Sequence, residues 1–155
     1  MEVDRDAIAR DSRQISIQLE LRANEELSRE GLTAMQAHML RYILRHSEEG
    51  TSLTTIHREF GYSMASLSSL LKRLREKGYV RVERCMGDDR RKLLFATEKA
   101  SQLQESLDRS IDGLQERLYD QFSPEELDQL DRMQKKLLRN LAPHREETQK
   151  EVSQS

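Results

Sequence analysis

The residues able to do chemistry fall in two stretches. The first holds Ser63, Met64, Ala65, Ser66, Ser68, Ser69, Lys72 and Arg73; the second runs Gly87, Asp88, Asp89, Arg90, Arg91, Lys92. Short hydroxyl and methyl side chains followed by long cationic ones suit a nucleic acid, where bases must be approached closely and phosphates can be reached from a distance. A solvated helix face is the competing reading, and periodicity alone gives the two about equal weight. Other chemistry finds little support. The four histidines (38, 46, 57 and 144) have no metal-ligand spacing, and no Gly-rich phosphate loop or nucleophile elbow is present. The acid pairs Glu48 with Glu49 and Glu125 with Glu126 are explained by a turn and by a helix N-terminus. The expectation is no enzyme, no metal and no cofactor. Cys85, beside Arg84, could be made oxidisable by that cation, but a small strand residue is the simpler account.

These residues need elements to position them. Leu53, Ile56 and Phe60 recur at helical spacing, and Gly61 follows where a left-handed residue stops a helix. Ser63 then offers an N-cap to a second helix whose Leu67, Leu70, Leu71 and Leu74 form one apolar face. The opposite face carries Ala65, Ser68, Ser69, Lys72 and Glu76. Gly78 ends this helix, Tyr79–Glu83 alternates as a strand, Gly87, Asp88 and Asp89 make a turn, and Leu93–Phe95 returns. A hairpin with a cationic tip beside a possible reading helix is the plan of a winged helix-turn-helix.

The segments "LTAMQAHML" (32–40), "SLTTIHREFGYSMASLSSLLKRLREKGYVRV" (52–82) and "DDRRKLLFATEKA" (88–100) resemble the MarR-type transcriptional regulators. Thr33 and Gln36 stand at the helix start typical of that family. Leu74, Arg75, Gly78, Tyr79 and Val80 stand at the end of its reading helix, and Asp88 and Arg90 at its Asp-x-Arg wing. Asp89 and Arg91 have the same spacing, so the wing register stays open by one residue. Ala96 and Ala100 depart from the usual Leu and Gly. The resemblance implies a mainly α fold with a short β-hairpin wing and N- and C-terminal dimerisation helices. It also implies a homodimer on double-stranded DNA, acting as a repressor, with a possible small-molecule effector seated between the dimerisation helices and the DNA-binding lobe. Ile15, Leu19, Met39 and Tyr42 are candidate lining residues there, each equally well explained as core.

Charge supports the localisation of the site. Residues 58–92 hold ten Lys or Arg against five acids, a net of +5 in a chain of net −2, so the remainder carries −7. A basic segment in an acidic protein marks a confined polyanion surface.

The 155-residue chain fits one unit over 1–142. Its expected parts are dimerisation helices at 1–31 and 98–142, a winged-helix lobe at 32–97, and a polar tail, 143–155, expected to be disordered. Residues 4 to about 29 read as a helix with Ile8, Ile15, Leu19, Ala23 and Leu27 on one side, although Ile15, Ile17, Leu19 and Leu21 alternate as a strand would. Thr33 and Gln36 form a capping box for a helix to about His46, with Leu40, Ile43 and Leu44 inward. Thr51 and Ser52 are expected to cap the next helix. Thr97 caps one of roughly 25 residues striped by Leu103, Leu107, Ile111, Leu114, Leu118 and Phe122. Ser123, Pro124 and Glu126 open a last one carrying Leu127, Leu130, Met133, Leu137 and Leu141, with Pro143 after it. Stripes longer than one small core needs point to dimerisation. No apolar run approaches a bilayer span, the N-terminus is acidic, and a lone cysteine fits a reducing compartment, so a cytoplasmic protein is expected. The alternative function is a helical protein-interaction module that docks partners on the winged helix.

Overall fold

The computed structural model describes residues 1–84 and 92–143. They form α1 (Arg5–Leu27), a 3-10 turn (Ser28–Glu30), α2 (Ala34–Arg45), α3 (Leu53–Phe60), α4 (Met64–Glu76), β1 (Val80–Arg84), β2 (Lys92–Ala96), α5 (Glu98–Leu118) and α6 (Pro124–Leu141). The fold is mainly helical with an antiparallel β1–β2 hairpin, as the spacing predicts. Two compact units result, residues 1–115 and a second beginning at Glu116.

Local signals set the boundaries. Asp4 accepts the Ala7 amide at 3.1 Å to start α1. The helix ends at Leu27 rather than near 29, because the chain tightens into the 3-10 turn before Gly31. The strand alternative for 15–21 is excluded, since those residues are helical throughout. Thr33 and Gln36 close a reciprocal capping box on α2. Asn24 of α1 adds a third tie, accepting the Ala34 amide at 2.8 Å.

The core of the first unit gathers Leu27, Met39, Leu40, Ile43, Ile56, Leu67, Leu74, Leu94, Leu107 and Ile111, all with relative exposure below 2% or at it. Each such side chain contributes on the order of 1.5–3 kcal/mol of burial free energy. A partly buried ion cluster also links α2 to α5. Arg41 of α2 reaches Asp112 at 2.7 Å and Asp108 at 3.4 Å, two carboxylates one turn apart on α5. Burial, and then the Arg41 charge, hold the His38 imidazole below its ordinary value.

Three expectations are corrected. Ser52 alone caps α3, accepting the Thr55 amide at 3.2 Å. Thr51 is instead buried and exchanges two backbone hydrogen bonds with Leu94, at 3.1 and 2.7 Å, which adds a third short edge to the hairpin. The helix after Thr97 has 21 residues, and Phe122 lies beyond it. Within this one chain the side of α1 bearing Ile8, Ile15 and Leu19 is exposed, and only Ala23 and Leu27 of that helix are buried.

In the second unit, Ser123 and Glu126 form the expected capping box with Pro124 in the first turn. None of the α6 residues is buried. Gln121, just before it, has φ +66°.

Candidate nucleic-acid interface

The elbow between α3 and α4 is fixed from both sides. Gly61 takes φ +75°, a conformation a Cβ would strain, and donates its amide to the His57 carbonyl at 2.9 Å. His57 Nδ1 then meets the Tyr62 carbonyl at 2.5 Å. The Phe60 ring stacks on Tyr62 and stands edge-on to Tyr42, with centroids 5.7 and 5.5 Å apart. Burial, with the nearby Glu20 carboxylate second, raises the Tyr62 phenol above its ordinary value.

From that elbow α4 begins on Ser63, whose hydroxyl accepts the Ser66 amide at 3.1 Å and donates to the Ser66 hydroxyl at 2.9 Å. Leu67 and Leu74 are fully buried, Leu70 nearly so, and Leu71 half-buried. With that side locked in the core, helical geometry turns Ala65, Lys72 and Glu76 outward, flanked by Ser68 and Ser69. Met64, Ala65, Ser66, Ser68, Ser69, Lys72 and Arg73 are all exposed. Beyond the Ser63 cap, the other seven candidates are spread over about three turns of α4 and are all accessible.

The cations divide into spent and available. Lys77 donates to the Gly31 carbonyl, and Arg81 pairs with Glu83 while lying 4.6 Å above the Phe95 ring. By contrast, Lys72, Arg73 and Arg75 make no hydrogen bond or ion pair among the described residues. Their charge is left for an external anion. A groove beside α4 is lined by Leu53, Ser68, Leu71, Lys72, Arg75, Glu76 and Lys92, an apolar floor under a mainly cationic rim.

Arg75 and Lys92, which the sequence places only in the helix end and the cationic hairpin tip, are given no contact role of their own by sequence reasoning. Arg75 stands one turn from Lys72, a relation visible on a helical projection. Lys92 needs the hairpin register, which pairs it with Arg84 and so brings the start of β2 to the groove. Asp88, Arg90, Arg91 and Cys85 lie outside the described residues, as do His144 and the rest of the tail. Of the four residues offered as effector lining, Met39 is sealed in the core, Tyr42 faces a cleft under α3, and Ile15 and Leu19 are exposed on α1. They stand in different environments. Among the described residues no group of three or more His, Cys, Asp or Glu could hold a metal, and no helix is long and apolar enough to cross a membrane.

Comparison with known proteins agrees with this geometry. A model of the MarR family matches residues 30–91. The crystal structure of an S. aureus MepR–DNA complex is 26% identical, covers 90% of this chain and 100% of its own, and has a TM-score of 0.79. A putative MarR family transcriptional regulator from Listeria monocytogenes, complexed with a 26mer DNA, gives 23% identity, 91% and 90% coverage, and a TM-score of 0.79. The transcriptional regulator SlyA gives 21%, 86% and 93%, and 0.78; these last two bear on the fold alone. No curated protein sequence matches the chain.

Proposed function

We propose that the chain is a transcription regulator of the MarR type, a sequence-specific repressor that grips a pseudo-palindromic operator as a homodimer; the family match over residues 30–91 and the likeness to the S. aureus MepR–DNA complex support this reading. The observation that carries this is the outward side of α4, where serines and Ala65 precede unpaired Lys72, Arg73 and Arg75 on a helix anchored by Leu67, Leu70 and Leu74. Ser63, Met64, Ala65, Ser66, Ser68 and Ser69 enter the major groove or its margin, and Lys72 and Arg73 hold phosphates. Asp88, Arg90 and Arg91 form the wing that reaches the flanking backbone or minor groove.

Dimerisation is supported by the exposed apolar residues, which are concentrated on α1 (Ile8, Ile15, Ile17, Leu19, Leu21) and α6 (Met133, Leu137, Leu138, Leu141). Two α4 helices related by a two-fold axis would read half-sites roughly 34–36 Å apart. An effector would release DNA by binding one separation of those helices better than the other. Overlap with a promoter would make the bound dimer a repressor.

The test is selection from a random duplex pool followed by gel-shift titration. The winning duplex is expected to be two-fold symmetric, and its affinity to fall by about three decades or more between roughly 50 and 200 mM salt. Replacing Lys72 and Arg73 by Ala should weaken all duplexes alike and lower the salt slope by about one per residue. Salt-insensitive or absent duplex binding would reject the proposal in favour of a protein-docking module.

A further inference from the structure

On its outward meridian the first turn of α4 presents carbon, the Ala65 methyl. Ala65 lies on the meridian opposite the buried leucines, and Met64 beside it keeps 42% of its surface exposed. The polar neighbours are turned to other work. Ser63 donates its hydroxyl proton to the Ser66 hydroxyl and accepts the Ser66 amide, and Ser66 and Met64 flank Ala65 at about 100° on either side, one polar and one apolar. Leu67 points into the core with no exposed surface. A base edge pressed squarely against Ala65 thus meets a methyl group, with the nearest hydroxyl of that turn, Ser66, about 100° around the helix.

Only one base group in the major groove suits such a surface. Adenine, guanine and cytosine edges offer amines, carbonyls and ring nitrogens that lose water on approach and gain nothing in return. Thymine offers its C5-methyl, whose burial against another methyl is favourable. One turn further on, Ser68 and Ser69 can donate or accept, and they tolerate either kind of edge.

Resting on the DNA-binding reading above, we infer that Ala65 is a specificity-determining residue that reads one thymine C5-methyl in each half-site. Met64 closes the contact from the side and excludes water from it. The operator therefore contains a symmetric pair of thymines recognised by shape and hydrophobicity, not by hydrogen bonding.

The probe is the tightest duplex recovered from a random pool, with each thymine of both half-sites replaced in symmetric pairs by deoxyuridine, which removes only the methyl group. For the unaltered protein, one pair should lose affinity by about fourfold per half-site, the factor corresponding to ~0.8 kcal/mol for one buried carbon group. That sensitivity should vanish in Ala65→Ser, which keeps the helix and its cap, and persist in Ser68→Ala. If no pair responds, or if the same pair responds equally in Ala65→Ser, the inference is overturned while the DNA-binding proposal stands. If the pool yields no preferred duplex, both are rejected.

Discussion

Helices α4 and α6 are assembled from similar parts and end in opposite surroundings. Both start on a serine N-cap and both carry leucines at helical spacing. In α4 those leucines are buried, with Leu67 and Leu74 at 0% exposure. In α6 Leu137, Leu138 and Leu141 stand at 59%, 66% and 81%. The contrast shows that apolar periodicity specifies a helix and its sticky side but not what covers that side. Inside the first unit, α2, α3 and the hairpin cover α4. For the α6 stripe, a second copy of the chain is the partner proposed above.

The largest effect that would break this comparison comes from charging the α6 stripe. Leu137→Glu with Leu141→Glu should give a monomer by sedimentation and reduce operator affinity by about two decades or more, since avidity of paired sites is lost. Leu67→Ala on α4 should instead cost about 2–5 kcal/mol by urea unfolding, whatever the protein concentration. A monomeric native protein, or a dimer indifferent to the charged pair, would remove the distinction between the two helices.

Smaller changes sharpen it. Ser63→Ala and Ser123→Ala each remove an N-cap oxygen and should cost roughly 1 kcal/mol. The Ser123 loss should depend on protein concentration, because α6 would be stabilised by its partner, and the Ser63 loss should not. Thermal melts of both variants over a hundredfold dilution check this.

The smallest effect is a pH dependence. The His38 imidazole is held below the usual 6.5 by burial and by Arg41, with Asp108 and Asp112 on the far side of that guanidinium. A lowered histidine value means the unfolded chain binds the proton first. Its contribution is therefore complete above about pH 6.5 and is lost as pH falls toward the folded value. His38→Asn should flatten the acid limb of the stability curve below about pH 6.5, read by urea midpoints.

Much of the reading lobe was legible in the sequence because its signals are local. Gly61, the Ser63 cap, the leucine spacing of α4 and the Thr33–Gln36 box each act within one turn of chain. What escaped was long-range. Lys77 and Arg81 count as available cations in a charge tally, yet their partners, Gly31 and Phe95, lie far away in sequence or across the hairpin. Thr51 looked like a second cap, since a single bridge to Leu94 leaves no periodic trace. Its one hint is Gly50, where a Cβ would come within 2.7 Å of the Phe95 ring and φ is +81°. The ranges of α1 and α5 erred at their ends, where tightening into 3-10 geometry or a turn competes with continuing the helix.

The paired amides of Thr51 and Leu94 have a mechanical meaning. Leu94 is paired on one side with Val82 and on the other with Thr51, which leads into α3, and the Ala96 amide donates to the Ser47 hydroxyl at 3.0 Å, so the strands are tied to the helical scaffold along β2. Neither can tilt without dragging the other. In the regulator proposed above, a signal that reaches α2 or the start of α3 would move the strands and the helices together, as a hand opens from the knuckle rather than from the fingertip.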